Sequence, residues 1–184
     1  MDAASSCPMR ALNTLKSRRE CLKAAGIGLA TIAAWSVSGL AAESENLIID
    51  THTHFYDPKR SQGVPWPPKE DPVLYRTVLP SDYLSLPKPA RVHGTVVVEA
   101  SPWVEDNQWM LDLAAREPFI VGLVGNLPVG SAEFPELLKR FRANRLFRGL
   151  RVQGGMLGKN LGQRRFVEHL ELLARAGLAL DVVG

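Results

Sequence analysis

Five consecutive residues, Asp50-Thr51-His52-Thr53-His54, have the composition and spacing of a site rather than of a core. Side chains alternate along an extended strand, so His52 and His54 project from one face. Two neutral imidazoles side by side can hold a divalent metal ion, zinc above all, or can polarise and hydrogen-bond a substrate. Asp50 falls on the same face one layer deeper, where a carboxylate can orient an imidazole. The plain alternative is a pair of half-exposed histidines beside a turn, and His-x-His alone does not choose between the two. Its context favours a site, because the pair ends an Ile48-Ile49-Asp50 run that opens a series of strands and helices.

Two other segments carry groups with matching chemistry. In Phe147–Gln153, alternation turns Leu150 and Val152 one way and Phe147, Gly149, Arg151 and Gln153 the other, with Arg148 on the side of Leu150. A guanidinium at Arg151 can grip a carboxylate or a lactone oxygen with two donors. It can equally close a structural ion pair, for which Glu99 is a candidate partner. The run around Val96-Val97-Val98 sets Thr95, Val97, Glu99 and Ser101 on one face, Glu99 and Ser101 at its end. A carboxylate there can act as a base, a metal neighbour or a partner for Arg151, or can be a solvated strand end. Glu99, Ser101 and Arg151 are therefore the candidate substrate-binding residues, and His52 and His54 the candidate catalytic and metal-binding ones. Asn126 is a candidate polar contact, while His93 and His169 read as structural or exposed.

The elements that position these groups alternate regularly. Strands are expected over Leu47–Thr51, Val92–Ala100, Phe119–Val124, Phe147–Gln153 and Leu178–Val183. A helix capped by Asp106 runs to about Arg116 and stops before Pro118. Another, capped by Ser131 with Pro135 in its first turn, reaches about Ala143. Phe166, Leu170, Leu173 and Ala174 share a helical face that Gly177 terminates. The long Pro-rich stretch from Asp57 to Pro89 holds one short helix near Ser81, and Trp66, Pro67, Pro68 and Tyr75 make it either a lid or a loop pinned by aromatic packing.

Strand–helix–strand repetition implies parallel pairing with right-handed crossovers. An open doubly wound sheet and a closed barrel both fit. No Gly-x-Gly-x-x-Gly follows the first strand, so a dinucleotide site has no support. The expected class is α/β, a partial (β/α)8 TIM barrel of about four βα units plus a fifth strand, because barrels place chemistry at the C-terminal ends of their strands, where the histidines lie. A full barrel needs eight strands and roughly 250 residues, so a chain of 184 residues reads as truncated.

Residues 1–41 read differently from the rest. Ser17-Arg18-Arg19-Glu20-Cys21-Leu22-Lys23 precedes an apolar run, Ala24–Ala34, and then small residues through Ala41-Ala42. That order is that of a secretory signal, and the paired arginines resemble a twin-arginine export signal, which implies a periplasmic product. The run is too short and too rich in Gly and Ala for a stable membrane span. The leader holds five basic and two acidic residues, so the formal charge of +3 belongs to it and the rest carries seventeen of each sign. A neutral mature domain, residues 42–184, has no electrostatic footprint for nucleic acid. Both cysteines, Cys7 and Cys21, also lie in the leader, which leaves the mature part with neither disulfide nor thiolate.

Leu47–Pro58 resembles the opening of the amidohydrolase-2 family, in the branch that contains 2-pyrone-4,6-dicarboxylate lactonase and L-fuconolactonase. Val96–Ser101, Pro118–Gly125 and Phe147–Arg151 fall in that family's order and approximate spacing. The resemblance implies a barrel hydrolase that opens a lactone, or a similar carboxylate-bearing small molecule, with activated water. It implies active-site roles for His52 and His54 and substrate binding by Arg151. Metal dependence varies among these lactonases. The family also uses a His after strand five, a His after strand six, and an Asp after strand eight as general base, and the chain reaches Gly184 before any of them. Three alternatives stay open. One is a non-catalytic half-barrel that binds a ligand or covers its open edges as a homo-oligomer. Another is a metal-dependent decarboxylase of the same superfamily. The third is a product that does not fold.

Overall fold

The computed structural model describes residues 46–184; the export signal proposed for residues 1–41 lies outside the described residues. Five strands alternate with helices: β1 (Ile49–Thr53), α1 (Pro80–Ser85), β2 (Gly94–Val98), α2 (Val104–Ala114), β3 (Ile120–Gly125), α3 (Phe134–Arg142), β4 (Phe147–Gln153), α4 (Gly154–Asn160), α5 (Arg164–Arg175) and β5 (Ala179–Val183). All four pairings are parallel, and the strands lie in sequence order. The result is the expected α/β half-barrel. Among the described residues no helix is long and apolar enough to cross a membrane.

Three of the four pairings carry an inserted residue. Asp50 and Thr53 face Thr95 and Val97, Thr95 and Val96 face Ile120 and Gly122, and Leu123 and Val124 face Phe147 and Gly149. Such bulges bend a strand and increase its twist, which curls this sheet. The insertion in β4 reverses the expected facing at its start. Phe147 joins the outer core and stacks on Phe141 of α3, with ring centroids 5.7 Å apart. Arg148 lies instead on the inner side beside Gly122 and Val96. Asp50 of β1 shares a hollow with His52 and His54, but its carboxylate bonds to neither imidazole. Its Oδ2 accepts from Tyr83 Oη of α1 at 2.8 Å, and its Oδ1 accepts from the His52 backbone N–H at 3.0 Å. It orients the strand rather than an imidazole.

The core lies between the outer face of the sheet and the helices. Val97, Leu123, Phe147 and Leu150 meet Met110 and Leu111 of α2, Phe134, Leu138 and Phe141 of α3, and Leu173 of α5. Helix starts differ from expectation. Asp106 sits in the first turn of α2 rather than at its cap, because it is drawn into an ion pair with Arg60. Ser131 precedes α3 by a full turn, and Pro135 starts that helix as expected. Gly177, at φ +69°, ends α5 in the left-handed region that favours glycine. His169 of α5 is buried, stacked on Phe134 at 4.6 Å, and its Nδ1 accepts from Gly130 N–H at 2.9 Å. It is a structural residue, pinning the loop after β3.

Candidate functional site

The inner face of the sheet and the ends of its strands enclose a cleft of about 490 Å³. It is lined by His54, Glu99, Ser101, Asn126 and Arg151, with Trp66, Leu127 and Met156 as apolar walls. His52 is the last but one residue of β1 and His54 follows the strand's end. Their ring centroids are 5.1 Å apart, with ring planes at 86°. His52 opens onto a second hollow of about 370 Å³ on the other side of the pair, shared with Arg76, Asp82 and Tyr83. His54 lines both.

Each imidazole has one nitrogen already engaged. His54 Nδ1 lies 2.7 Å from the Val98 carbonyl oxygen, which can only accept, so Nδ1 carries the proton and Nε2 keeps a lone pair. Burial holds the His54 pKa below the ordinary imidazole value. The Val98 carbonyl opposes that shift, and His52 and Arg151 reinforce it. His52 Nε2 lies 2.9 Å from Arg151 Nη2. A guanidinium only donates, so this Nε2 accepts. The contact joins the first strand to the fourth, which the curl of the sheet brings face to face.

Arg151 does not pair with Glu99. Its Nε donates to Asp181 Oδ2 of β5 at 2.6 Å, the residue directly opposite it in the β4–β5 register. Nη1 has no hydrogen-bond partner among the described residues and remains available in the cleft. Asp181 was missed in the sequence, although a lone charge in Leu178-Ala179-Leu180-Asp181-Val182-Val183 is a visible signal.

Glu99 and Ser101 are both buried at the end of β2. Glu99 Oε1 accepts the Ser101 backbone N–H at 2.7 Å, and Ser101 Oγ accepts from Trp103 N–H at 3.0 Å. Burial raises the Glu99 pKa from the ordinary 4.5 to about 7. The Ser101 and Ala100 N–H groups and Arg60 work against that rise, and Asp106 adds to it. The native state then holds a proton that the unfolded chain releases between those two values. The contribution of Glu99 to stability is therefore fully present below about pH 4.5 and is lost as pH rises through 7, by about 3 kcal/mol. Glu99→Gln is expected to remove this slope. Urea midpoints at about pH 5 and about pH 8 should converge in the variant relative to the parent, and an unchanged difference would refute the assignment.

Asn107 of α2, fully buried, fixes Asn126 at the end of β3. Its Nδ2 donates to the Asn126 carbonyl at 2.8 Å and its Oδ1 accepts the Asn126 N–H at 3.0 Å. Gly125 leaves room for that carboxamide, since a Cβ there would collide with it. Asn126 Nδ2 in turn donates to the Ser101 carbonyl at 3.1 Å, which ties the ends of β2 and β3 together.

The Pro-rich loop after β1 is joined to the rest of the fold by several side-chain and backbone contacts. Arg60 Nη1 pairs with Asp106 Oδ1 at 2.9 Å, with side-chain exposures of only 8% and 6%. The Arg60 guanidinium also lies 4.5 Å from the Trp109 ring centre. Tyr56 and Val78 exchange backbone hydrogen bonds at 2.9 Å, and Asp57 accepts from Thr77 Oγ1 at 2.7 Å. Trp66 is edge-on to both His54 and Tyr56, at 5.7 and 5.3 Å. Trp66 makes the aromatic contacts that the pinned reading expects and also lines the cleft.

The matches to known proteins agree with this architecture. An L-fucono-1,5-lactonase from Burkholderia ambifaria is 34% identical over 103 residues, covering 56% of this chain and 35% of that protein. An amidohydrolase from Burkholderia multivorans with bound zinc superposes with a TM-score of 0.63 at 24% identity, over 74% of this chain and 49% of that one. A probable 2-pyrone-4,6-dicarboxylic acid hydrolase from Acinetobacter baumannii, with citric acid bound, gives 0.53 at 18% identity, over 73% and 48%. The chain thus spans from about a third to half the length of these relatives.

Zinc in the Burkholderia multivorans structure raises the question of fit here. Catalytic zinc typically takes three protein ligands. Among the described residues no group of three or more His, Cys, Asp or Glu side chains could hold a metal ion. The two imidazoles supply two donors at most, and Arg151 occupies one of them. The described residues therefore do not by themselves form a catalytic zinc site. The model of the amidohydrolase family matches residues 49–184, nearly all of what is described. On that match, this chain belongs to the amidohydrolase family.

Proposed function

We propose that this chain supplies the groups of a site that opens a small, carboxylate-bearing lactone with activated water. The observation that carries the reading is the convergence of His52, His54 and Arg151 from opposite sides of the curled sheet onto one region. Arg151 grips an anionic or carbonyl oxygen through the donors that Asp181 and His52 leave unspent. His54, kept neutral by burial, turns its Nε2 lone pair to a water or to a substrate proton. Ser101 and Asn126 line the floor against which the ring would lie, and Trp66 and Met156 shield it from bulk water. Glu99 bounds the same cleft from a dry position and keeps its proton close to neutral pH. The similarity to a fuconolactonase supports the lactone class. The metal-assisted version of this chemistry draws no support from the described donors.

A pH-stat assay of the full chain tests the reading on lactones with and without a carboxylate. Opening of the carboxylate-bearing lactones is expected. Arg151→Met should raise KM for them by about tenfold or more and leave neutral lactones less affected, since a charge-assisted hydrogen bond is worth about 1.5–3 kcal/mol. Absence of hydrolysis above the buffer rate, or equal losses on both substrate sets, would count against it.

A further inference from the structure

We propose that Asp181 is a positioning residue that acts through Arg151 to hold His52 in one tautomer, with the proton on Nδ1 and the lone pair on Nε2. The inference rests on the site reading above for its catalytic meaning, but its geometry stands apart. Asp181 and Arg151 are register partners on neighbouring parallel strands, so their side chains leave the sheet on the same face. The short contact from Arg151 Nε to Asp181 Oδ2, 2.6 Å, fixes the plane and rotation of the guanidinium. With Nε tied down, Nη2 is aimed across the half-barrel at His52 Nε2, 2.9 Å away. The acceptor in that contact must be an unprotonated nitrogen, so a neutral His52 places its hydrogen on Nδ1. This is the tautomer that free histidine disfavours, and the cross-sheet contact supplies the reason for it here.

The arrangement links three strands, β5, β4 and β1, by two hydrogen bonds. It leaves two sets of donors free, Nδ1–H of His52 beside the second hollow and the Nη1 donors of Arg151 in the cleft. Each set suits a ligand bearing carboxylate or carbonyl oxygens rather than an amine. Without Asp181 the guanidinium is free to rotate, the Nε2 acceptor loses its partner, and the ring reverts to the Nε2–H form.

Long-range proton–nitrogen spectra of the ¹⁵N-labelled full chain, recorded above the ordinary imidazole pKa, read the tautomer of each ring directly. With four histidines in the sequence, single substitutions assign the signals. His52 in the parent is expected as the Nδ1–H tautomer. Asp181→Asn and Arg151→Met should each move the ratio toward Nε2–H by about tenfold, the scale of one lost charge-assisted hydrogen bond. Asp181→Glu should restore it in part. His54, held by Val98, should not change in any of them and reports that the fold is intact. A parent His52 in the Nε2–H form overturns the proposal without any variant, and so does an Asp181→Asn spectrum identical to the parent. If the tautomer pattern holds and no lactone is opened, the positioning role stands and the proposed reaction falls. If lactones are opened and the pattern fails, the reverse is true.

Discussion

Arg60→Met is expected to lower the unfolding free energy by about 3–5 kcal/mol, the cost of stranding a buried carboxylate without its counter-charge. Asp106 is almost fully enclosed, and Arg60 Nη1 is its partner at 2.9 Å. The pair is not ideally satisfied, because Arg60 Nε is buried without a hydrogen-bond partner. That makes a second outcome specific. Removing both charges together, as Arg60→Met with Asp106→Leu, should restore most of the loss, since replacing a buried ion pair by apolar groups is often neutral or favourable. Urea unfolding of the three chains measures both values. A single variant within about 1 kcal/mol of the parent would mean that the pair behaves as an exposed one. The pair also reaches the site. Arg60 lowers the Glu99 pKa and Asp106 raises it, so the single variant should push that carboxyl higher, while the double variant should leave it closer to its starting value.

His54→Gln is expected to cost about 10²–10⁴ in kcat/KM for lactone opening, the usual contribution of a positioned proton-transfer group. Glutamine keeps a donor for the Val98 carbonyl but has no basic nitrogen to face the cleft, so the unfolding midpoint should stay near that of the parent. Because burial depresses the His54 pKa, activity should persist to lower pH than an ordinary imidazole allows. It should be lost only when that ring protonates. A loss of less than about threefold in His54→Gln would assign proton transfer to another group.

The order of elements was legible because it rests on local signals. Apolar runs rich in Val and Ile, prolines at helix ends and Gly177 marked five strands and four of the five helices within a few residues. The strand-end location of His52, His54, Glu99, Ser101 and Arg151 was equally visible, since position along a strand needs no knowledge of partners. Partners were the illegible part. Nothing near Arg151 points to Asp181, 30 residues on, until register is known. Nor does anything near Asp106 point to Arg60, 46 residues earlier, and a good capping residue was drawn out of its local role by that distant charge. Helix α4 also escaped notice. Its Gly154-Gly155-Met156-Leu157-Gly158 sequence has poor helix propensity, and it buries none of its residues.

The inserted residues in β1, β3 and β4 have a consequence for how this chain can change. Each acts as a phase shift: before it odd positions face one way, and after it they face the other. Point replacements at Arg148 or Thr51 leave that parity untouched. Loss of the extra residue leaves plain alternation, with Phe147 and Leu150 still toward the helices and Arg151 still toward the cleft, so it would straighten the strand without turning it over. The extra residues therefore matter for the bend that brings His52 of the first strand to Arg151 of the fourth, more than for which way the later side chains point.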